Sequence, residues 1–256
     1  PPFYMRWWFF TSCLIIIIAS IFFFIKYRTQ KLTREKEILE ARVAERTTEL
    51  KYANSNLNSA IEELNDSINY DERIQSSILP HITIIKEQLP NSFLLFKPRD
   101  VVSGDFYWFN KIDGKLFFAC VDCTGHGVPG AFMSMIGNSL LNEIVLTKKI
   151  TSPSAILSNL NKSIFKVLKQ NTSESRDGMD MALCMIDPKA NTLTYSGANR
   201  ELLLIRDAKL VEYKPTKNAI GGGTDSNTVF AETLSEIKTN DLFYMTTDGY
   251  ADQFVG

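Results

Sequence analysis

The chain has 256 residues, 45% of them apolar, and its 28 Lys and Arg nearly balance 29 Asp and Glu. That length suits one sizeable domain with attachments, and the near-neutral balance gives no electrostatic footprint for nucleic acid. Cys13, Cys120, Cys123 and Cys184 do not read as a disulfide framework, because Cys13 lies in a strongly apolar run; a reducing compartment is expected.

The chain begins "PPFYMRWWFF" without an initiator methionine and stops at "YADQFVG". Both ends are therefore expected to continue into a longer protein. Residues 7 to 25, "WWFFTSCLIIIIASIFFFI", carry no charge and reach across a hydrocarbon core of roughly 30 Å as a helix. Trp7 and Trp8 mark one interface, while Lys26, Tyr27, Arg28, Lys31 and Arg34 crowd the other. This pattern predicts a single transmembrane helix with a cytoplasmic C-terminal side, in the cell inner membrane. It argues against a buried core helix, and a signal peptide would carry its basic residues before the apolar run.

Residues 26 to 79 contain no glycine or proline, and Val43, Leu50, Leu57 and Leu64 recur every seven residues. Ile61, Leu64 and Ile68 continue the stripe in a shifted register, which predicts a parallel coiled coil with a stutter and hence a homodimer. The alternative is one long amphipathic helix packed on its own domain; the asparagines at 54, 56 and 58 keep it open.

From residue 80 to 256 the pattern turns to short strands: "SFLLF", "GDFYWF", "KLFFACV", "MALCMI", "TLTYSG", "ELLLIR", "KLVEY", "TVFAETL" and "DLFYMTT". Two helices interrupt them. One is expected to open at Pro129, and the other follows Ser152-Pro153 and runs to about Gln170. Strands, a helix pair and strands again predict an α+β layered domain.

"GDFYWFNKIDGKLFFACVD" places Asp113-Gly114 between two apolar runs, a strong hairpin signal. With those two residues as the loop, Ile112 pairs with Lys115, Tyr107 with Cys120, and Asp105 with Asp122. Opposed side chains have Cβ atoms about 5 Å apart, and like charges there destabilise unless a cation lies between them. Two such carboxylates suit Mg²⁺ or Mn²⁺. Asp248, ending another apolar strand at Asp-Gly, is a third candidate, although a lone Asp-Gly is more often an ordinary turn.

Cys120, Cys123 and His126 offer a rival zinc spacing. It is weak, because Cys120 and Cys123 fall on opposite faces of the strand and no fourth ligand lies at a standard distance. Gly125, His126 and Gly127 form a glycine-rich turn into the helix, where backbone N–H groups suit a phosphate oxygen. His126 reads better as a solvent-facing loop residue or supporting group than as a ligand. There is no Walker motif.

The segments "RIQSSILP", "FKPRDVVSGDFYWF", "VDCTGHGVPGAFMSMIGNSLLNEIV", "SGANRELLLIR" and "TTDGYADQ" resemble those of the stage II sporulation protein E-type serine phosphatases, a branch of the metal-dependent protein phosphatases. The resemblance covers roughly residues 73 to 256. Residues 1 to 6 resemble the end of an extracytoplasmic domain in the family's membrane-bound sensors. It implies an αββα sandwich with two Mg²⁺ or Mn²⁺ ions between the sheets. Asp105 and Asp122 would be the catalytic ligands, joined by the backbone carbonyl of Cys123 and by Asp248. A metal-activated water would attack phosphorus in line. The implied substrate is a phosphoserine or phosphothreonine protein, typically an anti-anti-sigma factor.

Two departures from the family pattern stand out. Asp180 in "RDGMDMALC" takes the place of a hydroxyl or small residue and reads as a turn cap in preference to a support for the metal shell. The family's closing acidic strand is not found before Gly256, so residues 73 to 256 alone are expected to bind one ion weakly. A phosphatase fold that serves only as a binding module is the alternative function. A histidine kinase or cyclase output lacks its nucleotide-binding glycine and asparagine elements.

Overall fold

A computed structural model of the chain describes residue 2 and residues 5–251; most of "PPFY" and of the closing "ADQFVG" falls outside the described residues. The chain divides into two compact units, Pro1–Asn65 and Asp66–Gly256. The first consists almost wholly of helix α1 (Trp7–Ile78), whose absence of glycine and proline leaves nothing to break it. It is long and apolar enough near the N-terminus to cross a membrane. Val43, Leu50, Leu57 and Leu64 are all exposed on it.

The second unit opens with the last turns of α1, then α2 (Ile82–Gln88). Strands β1 (Phe106–Ile112) and β2 (Lys115–Cys123) form the expected hairpin with Ile112 opposite Lys115 and Tyr107 opposite Cys120. Asp113 and Gly114 both take positive φ, 51° and 81°, which matches the right-handed twist of the two strands. Helix α3 (Gly127–Asn142) runs into a π-helical turn, Glu143–Thr147. Helix α4 (Pro153–Val167) is capped by Ser152, whose Oγ accepts from the Ala155 N–H at 3.3 Å. Next come β3 (Gly178–Asp187), β4 (Thr192–Ala198), β5 (Leu202–Arg206), β6 (Lys209–Tyr213), β7 (Ile220–Gly221), β8 (Thr233–Glu236), β9 (Leu242–Tyr244) and a short α5 (Asp248–Ala251).

The larger sheet has the order β1-β2-β3-β4-β8, with β7 on β3, and the smaller has β6-β5-β9. All of these ladders are antiparallel. Alternation along the strands divides the interior in two. Phe117, Ala119, Val121 and Cys123 of β2 and Met179, Met181, Leu183 and Met185 of β3 join Leu141, Ile156 and Leu160 of the helical segments in one core. Ala182 and Cys184 of β3, with Leu193 and Tyr195 of β4, join Leu202, Phe118, Phe243 and Met245 in a second core that includes residues of the smaller sheet. Helices, large sheet and small sheet are thus three successive layers, α, β and β, of the expected αββα sandwich among the described residues.

Three local expectations need correction. "SFLLF" forms no ladder, and Phe93 and Leu95 are exposed; its β propensity finds no neighbouring edge. In "TVFAETL" only Thr233 and Leu234 enter a strand, while Phe230 is buried as a loop anchor. Helix α3 starts at Gly127, so Pro129 lies inside its first turn, where its missing N–H costs nothing.

Candidate active site

On β2, Cys123 faces the helix-side core, so Asp122 points the other way, as does its direct partner Asp180 on β3. The sequence reading of Asp180 as a turn cap is corrected: it is a strand residue. Asp105 lies one step before the first β1 pair, Phe106 opposite Val121, and its carboxyl is within hydrogen-bond reach of Asp122. A Cβ placed on Gly249 would lie 3.9 Å from Asp105 Oδ2, so the turn that carries Asp248 abuts Asp105.

Arg200, which the sequence reading did not single out, joins this group. Its Nη2 donates to Asp122 and, at 2.9 Å, to Asp248 Oδ2; its Nε lies 3.9 Å from Asp180 Oδ2. Asn199 Nδ2 donates to Asp180 Oδ1 at 2.8 Å. The turn that presents both residues is held by the Tyr195 hydroxyl, which donates to the Arg200 carbonyl at 2.6 Å. The carboxyl of Asp122 is pushed up to about 7, first by burial and next by the charge of Asp105, against the opposing pull of Arg200.

Among the described residues, no three His, Cys, Asp or Glu side chains already stand as a ligand cage; a guanidinium holds two of the carboxylates. The donor set is nevertheless all carboxylate oxygen, and Asp105 and Asp122 approach within hydrogen-bond reach of each other. Such a pair gains when a hard cation replaces a shared proton, so these residues fit Mg²⁺ or Mn²⁺. The zinc spacing does not fit. Cys120 and Cys123 point to opposite sheet faces, and His126 turns to Asp100, with its Nδ1 3.0 Å from Oδ2. Burial pushes the Cys120 thiol up to about 12 and raises that of Cys123 further, so neither is a ready thiolate.

The Gly125-His126-Gly127 turn carries left-handed glycines, φ 86° and 61°, with extended His126 as the cap of α3. Its shape depends on a contact that the sequence does not announce. A Cβ at Gly104 would meet the Gly125 carbonyl oxygen at 2.5 Å and that of Cys123 at 3.2 Å, and a Cβ at Gly130 would meet the Gly125 oxygen at 2.6 Å. Three backbones pack here without side chains between them.

Gln75, buried near the end of α1, braces the segment that leads to Asp105. Its Nε2 donates to the Ser103 carbonyl at 2.6 Å and to Ser134 Oγ at 2.8 Å, while its Oε1 accepts from the Ser103 N–H at 3.0 Å. Gln75→Leu is expected to leave these buried groups unpaired at about 1–3 kcal/mol. Calorimetric melting should fall by several degrees, at roughly 2–4 °C per kcal/mol, and an unchanged melting temperature would show that water replaces the amide.

Residues 112–254 match the sequence model of the stage II sporulation protein E family. The solved SiaA PP2C domain of Pseudomonas aeruginosa is 31% identical, with 76% of this chain and 75% of that one covered at a TM-score of 0.64. The PP2C phosphatase domain with a fragment of the regulatory domain of SpoIIE from Bacillus subtilis is 20% identical, covering 58% of this chain and 42% of that one at a TM-score of 0.48. No curated protein matches. The second unit is a phosphatase domain of the PP2C type. The chain belongs to the stage II sporulation protein E family.

Proposed function

We propose that the chain is a membrane-anchored signalling phosphatase that removes phosphate from phosphoserine or phosphothreonine on a regulatory protein, with an anti-anti-sigma factor as the expected substrate. The convergence of Asp105 just before β1, Asp122 near the end of β2 and Asp248, which opens α5 and does not end a strand as the sequence suggested, carries this reading in a PP2C-type fold. Asp105 and Asp122, with Asp248 and the Cys123 carbonyl, would hold a Mg²⁺ or Mn²⁺ ion. When bound, such ions supply Lewis acidity and a water of lowered pKa for attack on a phosphate ester. The N–H groups at the start of α3, behind Gly125, His126 and Gly127, face an incoming phosphoryl group with the positive end of a helix dipole. No protein nucleophile is required, consistent with the buried, strongly protonated thiols nearby.

The test is release of phosphate from phosphorylated anti-anti-sigma protein with and without Mn²⁺. Metal-dependent turnover is expected. Tight binding of the phosphoprotein without turnover would assign the domain to the binding-module class instead.

The seven-residue recurrence of Val43, Leu50, Leu57 and Leu64 supports dimerisation through α1, since such a seam is buried only against a partner helix. The basic flank from Lys26 to Arg34 supports a cytoplasmic phosphatase domain. A fragment from Lys31 to Gly256 is expected to sediment as a dimer, and Leu50→Lys with Leu57→Lys should make it monomeric. A wild-type monomer at high concentration would remove support for the coiled coil.

A further inference from the structure

Arg200 lies at the centre of the acid cluster, and its position bears on how the site takes up metal. Its side chain is only 19% exposed. One nitrogen, Nη2, donates to carboxylates from two places in the fold, Asp122 on the large sheet and Asp248 after the last strand of the small one. Its Nε is buried without a hydrogen-bond partner, 3.9 Å from Asp180. Well-settled arginines satisfy such donors. The carbonyl of Arg200 is anchored by Tyr195, so the backbone is fixed and only the side chain can leave.

We propose that Arg200 is a built-in counter-ion that occupies the cation position among Asp122, Asp180 and Asp248 and is displaced when a divalent ion binds. This rests on the metal-site reading above. Carboxylates gathered around one point, Asp122 and Asp180 mostly buried and Asp248 half-exposed, repel unless a cation stands among them, and a guanidinium meets that need before any metal arrives. A guanidinium that donates to Asp122 and Asp248 uses oxygen lone pairs that an ion would coordinate. The two cations therefore exclude one another at those atoms. The partnerless Nε leaves one donor unsatisfied in this arrangement, a deficit that is removed when an ion takes the carboxylates and the guanidinium moves into water.

Two consequences follow. Metal affinity is lowered by the cost of expelling Arg200, and the metal-free site is stabilised by its presence. Isothermal calorimetry with Mn²⁺ on the full chain in detergent micelles measures the first, and thermal melting measures the second. Arg200→Met should bind Mn²⁺ at least about tenfold more tightly than the parent chain, a difference of about 1.4 kcal/mol. The same variant should melt lower without metal and recover with it. Arg200→Lys is the second variant should Arg200→Met not fold; one ammonium on a shorter reach cannot bridge both carboxylates in the same way, so it too should bind more tightly than the parent. In the parent chain, Mg²⁺ titration should release the Arg200 side-chain NMR signals toward those of a solvated arginine.

Equal or weaker Mn²⁺ binding by the folded variants, with binding by the parent intact, would overturn the counter-ion role and leave the metal site standing. Absence of binding in parent and variants alike would overturn both. An Arg200 signal unmoved at saturating Mg²⁺ would also overturn displacement.

Discussion

Asp122→Asn is expected to abolish metal-dependent phosphate release while leaving the domain folded. Asparagine keeps the shape of the side chain but removes the charge that would hold an ion and lower the pKa of its water. Metal-assisted activation of this kind supplies several kcal/mol to the barrier. Its loss therefore predicts a fall in kcat of about 10³-fold or more. Stability should move the other way or not at all. Burial and the neighbouring Asp105 disfavour a charged Asp122 more than Arg200 favours it, so a neutral amide relieves strain in the metal-free site even though it weakens the contact with Arg200. Steady-state kinetics with a phosphorylated protein substrate, paired with melting curves, separate the two effects. Full turnover of Asp122→Asn in saturating Mn²⁺ would refute the role assigned to this carboxylate.

Gly104→Ala is expected to be among the most damaging single-methyl changes in the second unit. The added carbon would lie 2.5 Å from the Gly125 carbonyl oxygen and 3.2 Å from that of Cys123. Both obstacles are backbone, and Gly125 is itself pinned against Gly130, so no rotamer change relieves the clash. Overpacking of this kind costs about 1–3 kcal/mol, or a drop in melting temperature of roughly 2–12 °C for a domain of this size. Activity should fall more than stability alone explains, because Gly104 adjoins Asp105 and one of the two crowded carbonyls belongs to Cys123. Gly114→Ala is the control. Gly114 has φ +81° with nothing within 4 Å of a new Cβ, so only the conformational penalty of about 1 kcal/mol applies. A melting temperature for Gly104→Ala equal to that of Gly114→Ala would mean that the backbone contact yields easily.

The part of the site that the sequence disclosed is the part written within one hairpin. Asp113-Gly114 defines the loop, the loop defines the register, and the register brings Asp105 to Asp122; each step spans fewer than ten residues of either strand. The same local reasoning placed a helix start at Ser152-Pro153 and separated Cys120 from Cys123 by strand alternation. Arg200 and Gln75 escaped because their partners are distant in the chain. Arg200 meets Asp122 across 78 residues, and Gln75 meets Ser134 across 59. Neither interaction leaves a spacing to read. "SFLLF" misled for a related reason: aromatic and branched residues favour a pleated surface, but a strand also requires a free neighbouring edge, and that is decided by topology. Asp180 was misjudged because "RDGMD" reads as a turn, whereas the turn ends at Gly178, which already belongs to β3.

The alternation that gives β2 and β3 two cores also protects the pairing of these strands against error. If β3 slid by one residue, Asp180 would rotate into the apolar core beside the helices, and Met181 would be turned toward the acids. A single ionised carboxylate left without water or a partner costs several kcal/mol, more than most methionine contacts return. Asp122 imposes the same penalty from the neighbouring strand. Misaligned sheets are therefore rejected by the paired carboxylates Asp122 and Asp180 that flank Arg200, and replacing both with apolar residues should yield a chain that still collapses but loses its unique strand alignment.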